Sequence, residues 1–342
     1  MMEVRLLRPG EEGAWNRYVD GKPESLLGHR AEWGAVLAEG LGHLPRLLIA
    51  EEGPAIRGVL PLAVVPGLIG GRALVSLPWL DAAGPLAEDG QASAALLRRA
   101  IALGEEERCA YVEIRALREL EVPRPVRSSK AILLLDLKDE EAQWKGFPAK
   151  VRNQVRKAER EGLIASVHGA EGLADFYPVF SRNMRDIGVP VWGREFFRAM
   201  LERFGSRVRV VLVHQGALPV GAALLFLHGS TAVVPSASSL RSHFALCPNH
   251  LLYWTALRTA REMGARVFDF GRSTPGSGTY HFKRQWGAVD KTCYWHYALL
   301  RLREAPDRST ESPRLRWAVR AWRRLPLPIA NRLGPRIVRR IP

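Results

Sequence analysis

Short runs rich in valine, leucine and isoleucine, bounded by glycine and proline, recur along the chain in a fixed order. Such runs predict strands. The first set lies at 44–53 (LPRLLIAEEG), 56–65 (IRGVLPLAVV) and 73–78 (ALVSLP). A helix is predicted over 92–107 (ASAALLRRAIALGEEE), followed by a strand at 110–117 (AYVEIRAL). The same order returns at 207–216 (RVRVVLVHQG), 218–229 (LPVGAALLFLHG) and 230–238 (STAVVPSAS), then a helix over 249–264 and a strand at 265–272 (ARVFDFGR). In the second helix Leu251, Trp254, Leu257 and Ala260 recur at helical spacing. Asn249 stands as its N-cap and Gly264 as its stop. Gly58 and Gly221 hold the same place in the second strand of each copy, and Glu113 and Asp269 the same place in the last.

Two copies of one strand-hairpin-strand-helix-strand order predict two similar α/β domains in tandem, with α+β layering. The domains are placed at 1–145 and 146–305, with a tail at 306–342. Near their junction, WKGFPAKVRNQVRKAEREGL (144–163) sets Val151, Val155 and Ala158 on one helical stripe. Arg152, Arg156 and Arg160 form a row beside it. That row either meets an anion or is a solvated face balanced by Glu159 and Glu161. In the tail, no acidic residue follows Glu311 and nine arginines do; Leu315, Val319 and Trp322 share one helical face, with Arg316, Arg320, Arg323 and Arg324 around it. Two readings stand for residues 314–341: a basic amphipathic segment lying on an anionic membrane surface, or a helix packed back on the first domain.

Charge and cysteine content narrow the partners. A net charge of +15 favours an anionic partner such as phosphate, nucleic acid or an acidic membrane surface. Cys109, Cys247 and Cys293 are too widely spaced for a zinc site or a disulfide framework, so no metal is expected. The start, MMEVRLLRPGEEG, lacks the apolar core of a signal peptide, and the apolar stretch Val59–Ile69 is broken by Pro61, Pro66 and Gly67. A cytoplasmic protein is expected. GxSxG, HExxH and the GxxxxGK[ST] phosphate loop are absent, which leaves acid–base and electrostatic catalysis by Asp, Tyr, Lys and Arg.

Four motifs in order, AKVRNQVRKAEREGL, YPVFSRNMRDIGVPVW, SSLRSHFALCPNHLLYW and GRSTPGSGTYHFKRQWGA, resemble the FemAB family, from about Trp33 to Trp295. Within that family the motifs resemble the FemAB-like proteins associated with PEP-CTERM and exopolysaccharide systems. The resemblance implies two tandem GNAT (acyl-CoA N-acyltransferase-like) domains with mixed central sheets. It implies transfer of an acyl or aminoacyl group to an amine of a peptidoglycan, exopolysaccharide or other envelope precursor. The donor would be acyl-coenzyme A or aminoacyl-tRNA as a co-substrate, with no cofactor bound. A GNAT scaffold that binds RNA or anionic lipid without catalysis is the alternative.

By that resemblance Lys283 matches the lysine of the family's Phe-Lys motif, set to stabilise an oxyanion or a phosphate. Asp269, between Phe268 and Phe270, is either a base or the partner of Arg272. Tyr280 is a candidate proton donor. Gly271, Gly276 and Gly278 would let backbone approach a ligand, while Trp286 and Phe282 would anchor the segment that closes the site. Arg185, beside Asp186, matches the family's Arg-Asp-Gly motif, interrupted here by Ile187. Trp33 matches a first-domain tryptophan, but Gly34–Ala38 supplies no cation after it, leaving His29 and Arg30 as substitutes. Arg241 and Asn249 lie where GNAT enzymes keep a pyrophosphate loop, though the usual Arg-x-x-Gly-x-Gly/Ala pattern is absent.

Overall fold

The computed structural model describes residues 2–67, 71–121, 125–306 and 313–341. The elements run β1 (Met2–Leu6), α1 (Glu12–Asp20), α2 (Glu32–Leu41), β2 (Leu44–Glu52), β3 (Ala55–Pro66), β4 (Arg72–Ser76), β5 (Leu86–Ala87), α3 (Gly90–Glu106) and β6 (Cys109–Ala116). They continue with β7 (Val126–Asp136), α4 (Glu140–Gly146), α5 (Ala149–Arg160), β8 (Leu163–His168), α6 (Leu173–Ile187), α7 (Arg194–Phe204), β9 (Val208–Gln215), β10 (Leu218–His228) and β11 (Thr231–Ser239). The chain ends with α8 (Pro248–Glu262), β12 (Val267–Ser273), α9 (Gly278–Arg284), β13 (Val289–Leu299), α10 (Pro313–Arg323) and α11 (Leu327–Val338).

Two compact units form, and they cross the boundaries expected from sequence. The first joins Met1–Lys130 to Thr292–Ser309 and Arg336–Pro342; the second joins Ala131–Lys291 to Thr310–Pro335. In the first, the strands lie in the order β1-β2-β3-β4-β6-β13; in the second, β8-β9-β10-β11-β12-β7. The repeat therefore holds strand for strand, and each unit takes its sixth strand from a segment outside the run that builds its other five. Residues Tyr294–Leu299 of β13 pair with β6, and Ala131–Asp136 of β7 pair with β12. The first domain thus does not close at residue 145, because its sheet is completed only by β13.

The equivalences extend to register. Within β4 and β6, parallel neighbours, Val75 pairs with Glu113; within β11 and β12, Val233 pairs with Asp269. Both second strands shift register one residue before the matched glycine, between Ala50 and Glu51 opposite Gly58 and between Pro219 and Gly221. A side chain at Gly58 would meet Leu96, Ala87 and the Leu86 carbonyl at 3.0–3.2 Å, so any larger residue there would push these neighbours back by a few tenths of an ångström.

Each core follows from the apolar stripes. In the first unit Leu96, Leu97, Ala100 and Leu103 of α3 are buried against Leu48, Leu60, Leu74, Val112 and Ile114. A fully buried Leu or Ile contributes about 1.5–3 kcal/mol, so α3 is held by packing more than by propensity. In the second unit α6 and α7 contribute Phe176, Phe180, Phe196 and Phe197, whose rings meet at 4.8–5.8 Å.

The tail forms two helices, and its first part packs on the second unit, not the first. Gly188, just past α6, leaves room for Val319, whose Cγ1 would lie 2.5 Å from any added Cβ. Arg185 Nη1 donates to the Leu325 carbonyl at 3.0 Å and Arg323 Nη2 to the Ile187 carbonyl at 3.2 Å. The last residues belong to the first unit, where His43 Nε2 is 2.7 Å from the Arg339 carbonyl. Leu68, Ile69 and the side chains of Arg314, Leu315 and Arg316 lie outside the described residues. No helix among the described residues is long and apolar enough to cross a membrane.

Candidate functional site

In the second unit the parallel strands β11 and β12 stay paired only through Thr231–Val233 and Val267–Asp269. Beyond that point β11 follows β10 to Ser239, while β12 follows β7 to Ser273. Parallel neighbours that part at their carboxyl ends open the crevice where α/β sheets take ligands. The helix after β11 is α8, which starts at Pro248, with Cys247 in the left-handed region (φ 60°). The amides of its first turn lack helical acceptors, a setting suited to anions.

At that parting β12 carries a bulge. Its register against β7 shifts between Asp269 and Arg272, and Gly271 adopts φ +72°. Asp269 Oδ1 accepts the Gly271 N–H at 2.8 Å. Lys283 Nζ donates to the carbonyls of Gly271 at 2.9 Å and Arg272 at 3.0 Å. A carboxylate thus holds the donor side of the bulge and an ammonium the acceptor side, with Asp269 at 9% exposure and Lys283 at 8%. Bulges of this kind re-aim a strand next to functional sites.

The expected glycine-rich loop is partly helical. Ser277 accepts the Tyr280 N–H at 3.2 Å and caps α9, a seven-residue helix that brings Lys283 back to β12. Lys283 lies in the last turn of α9, yet its ammonium serves the strand's carbonyls. Below it Phe282 and Trp286 pack with Tyr253 and His250, ring centroids 5.1–6.5 Å apart. Trp286 is 1% exposed. Burial pushes the Tyr253 phenol up.

His250 was not singled out by its sequence, although it shares the buried face of α8 with Tyr253 and Trp254 at i+3 and i+4. Burial, reinforced by the nearby Lys150, pushes its imidazole down to about 4. The unfolded chain, with an ordinary histidine near pH 6.5, then binds more protons than the folded one across that window. The stability from keeping His250 neutral is present above pH 6.5 and drains away as the pH falls toward 4. Urea denaturation at pH 7 and pH 5 should show the loss, and His250→Gln should flatten the difference by about 1–2 kcal/mol.

The other expected residues divide between the site and the fold. Arg272, Gly276 and Gly278 lie exposed around the end of β12 and the start of α9. Gly276 needs its φ of +79°; an added Cβ at either Gly276 or Gly278 would meet nothing within 4 Å, so open space surrounds both. Tyr280 points its hydroxyl at Asp290 Oδ1, 3.1 Å away, and Arg284 meets the same oxygen at 3.2 Å. Partial desolvation and that carboxylate hold the Tyr280 phenol above its ordinary value. Arg241 is exposed ahead of α8. Asn249 is not the N-cap: α8 has begun one residue earlier, and Asn249 Oδ1 accepts the Ser239 hydroxyl at 2.7 Å.

Four expected binding residues are committed to structure. Trp33 is fully buried in the first unit, its indole N–H donating to the Leu27 carbonyl at 2.9 Å and its ring 5.5 Å from that of Trp79. Arg30 is 5% exposed and pairs with Asp20 and Glu32, each at 2.7 Å. His29, its neighbour, is spent on the Gly84 carbonyl at 2.9 Å. Arg185 divides its guanidinium between Asp186 at 2.6 Å and the Leu325 carbonyl. In the basic row of α5, Arg156 lies over the Trp144 ring at 5.5 Å. Among the described residues no group of three or more His, Cys, Asp or Glu side chains is placed to hold a metal ion.

Residues 146–284, which contain the parting of β11 and β12, the bulge and α9, match the acetyltransferase (GNAT) domain family. A stretch of 94 residues, 25% of this chain, is 28% identical to the lipid II:glycine glycyltransferase of Staphylococcus haemolyticus (strain JCSC1435). The matched stretch spans 22% of that relative's length. The solved structure of FemX superposes with a TM-score of 0.65 at 15% identity, over 87% of this chain and 98% of FemX. A tandem GNAT protein from the clavulanic acid biosynthesis pathway superposes with a TM-score of 0.57 at 14% identity, over 87% of this chain and 98% of its own. At these identities the two structures speak to the fold, and that fold is the tandem GNAT arrangement.

Proposed function

We propose, on the premise that this chain has the tandem GNAT fold and resembles the FemAB family, that it is an N-acyltransferase whose site lies at the β12 bulge. The observation that carries this reading is the convergence of Asp269 and Lys283 on one bulge, at the carboxyl end of a parallel strand pair. The reaction needs a neutral amine to attack an ester or thioester carbonyl, a base for the amine's proton, and positive charge for the oxyanion. Lys283 supplies the fixed charge. Asp269 is the base or, through the bulge, the group that aims the strand's polar atoms. Tyr280, tied to Asp290, is the candidate proton donor to the leaving group.

The donor is acyl-coenzyme A or aminoacyl-tRNA, and both bring phosphates to a chain of net charge +15. Exposed Arg241 and Arg272, with the first turn of α8, are the groups offered to them. The acceptor is an amine of a peptidoglycan, exopolysaccharide or other envelope precursor, met at the inner face of the cytoplasmic membrane. The glycyltransferase relative supports the peptidoglycan branch.

Binding of donors to the purified protein tests the reading. Acetyl- and longer acyl-coenzyme A species form one arm; charged and uncharged tRNA form the other, at fixed salt because phosphate contacts are salt-dependent. Saturable coenzyme A binding, weakened by Arg241→Ala, is expected of an acyl-coenzyme A enzyme. Preference for charged over uncharged tRNA is expected of an aminoacyl transferase. Binding of neither would overturn the reading in favour of a scaffold that binds without catalysis.

A further inference from the structure

The tail segment formed by α10 and α11 up to Pro335 turns one face inward and another outward. Its inner face is fitted to the second unit. Ala330 is 1% exposed, and an added Cβ on Gly334 would lie 2.8 Å from Val191 backbone atoms. Together with the Val319 seat beside Gly188 and the two arginine–carbonyl bonds, this makes the segment a built part of that unit.

The outer face is unlike ordinary protein surface. Trp317 is 74% exposed, Ile329 46% and Leu333 39%. Arginines accompany them: Arg320 follows Trp317 at i+3 on α10, Arg324 stands one residue past the end of that helix, and Arg332 follows Ile329 at i+3, beside Leu333. All three of these arginines are exposed, and no acidic residue follows Glu311 to neutralise them. Large apolar side chains set among exposed cations, on helices already held in place, match the chemistry of a headgroup boundary.

We propose that this outer face is a docking surface for an anionic lipid bilayer. Trp317, Ile329 and Leu333 enter the boundary between headgroups and acyl chains, while Arg320, Arg324 and Arg332 meet lipid phosphates. The segment lies on the surface; α10 and α11 are too short and too charged to span it. The inference rests on the proposed function only for the expectation that the acceptor lies at a membrane, and the docking surface stands on its own residues. A nucleic acid would also engage the arginines and the tryptophan ring, but Ile329 and Leu333 would gain nothing from it.

Vesicle flotation of the full chain decides the matter. Binding is expected to vesicles of phosphatidylglycerol with phosphatidylethanolamine, to weaken with salt, and to be about tenfold weaker on phosphatidylcholine alone. Ile329→Ser with Leu333→Ser keeps every arginine and should still cut anionic-vesicle binding about tenfold. Arg320→Glu with Arg324→Glu should abolish it. These positions are exposed, so the thermal midpoint should hold, and donor binding by the serine variant should match the parent chain. Vesicle binding that ignores lipid charge or survives the serine variant would overturn the proposal. So would tRNA binding that falls with the serine variant while vesicles are ignored.

Discussion

Replacing Lys283 with methionine is expected to lower the transfer rate by about a hundredfold or more, while leaving a folded chain. Methionine keeps the length and the apolar stem and removes only the charge. A single preorganised donor at an oxyanion contributes about 3–4 kcal/mol to a transition state, which sets the scale of the loss. Stability should fall as well, by about 2–3 kcal/mol, because the Gly271 and Arg272 carbonyls lose a charged donor. Turnover with whichever donor the titration selects, read beside the thermal midpoint, separates the two effects. A rate within threefold of the parent with a lowered midpoint would make Lys283 a positioning residue of the bulge. In that event Asp269→Asn should also leave the rate intact, since its Oδ1 is the other hand on the same bulge.

Arg115→Met should destabilise the first unit by about 3–5 kcal/mol. Arg115 is 2% exposed and Glu113 is fully buried; Arg115 Nε meets Glu113 Oε1 at 2.7 Å. Its Nη1 also donates to the carbonyls of Leu77 at 3.1 Å and Leu80 at 2.8 Å, and its guanidinium lies 4.4 Å from the Trp295 ring centroid. Between those two carbonyls sits Trp79 at φ 79°, a left-handed conformation that a bulky side chain adopts only under constraint. Methionine would strand the buried carboxylate from this cation and release the clamp at once. Adding Glu113→Gln should recover part of the loss, because the uncompensated charge is then gone. Urea denaturation of the single and double variants checks this, and a single-variant loss under about 1 kcal/mol would mean that the pair is nearly neutral overall.

The comparison of Glu113 with Asp269 shows how far the sequence could be read. Both were legible as matched acids, because buried central strands read as apolar runs in which a lone carboxylate stands out. What each acid does was not legible. Glu113 answers Arg115 two residues away on the same strand, whereas Asp269 answers a backbone amide at a bulge that only the φ of Gly271 reveals. Arg30 and Trp33 had the right residue types for a binding surface, but burial separates a ligand contact from a core contact, and burial depends on the whole fold. Arg185 shows the same limit from another side, since one of its acceptors lies 140 positions further along the chain. The strands of the repeat were visible in pattern; β7 and β13 were not assignable to a sheet, because an apolar run announces a strand without naming its neighbour.

That exchange of sixth strands has a consequence for biogenesis. The first unit's sheet, laid down by residue 116, must wait for β13, which ends at residue 299. At about 5–20 residues per second on a ribosome, the edge of β6 stays open for roughly ten to forty seconds. An open edge with a fully buried native strand, CAYVEIRA, is a template for mispairing with another nascent chain. Chain halves cut at residue 145 would keep that hazard permanently and would also part β7 from β12, so the two units should fold from separate genes only when β13 is grafted onto the first and β7 is kept with the second.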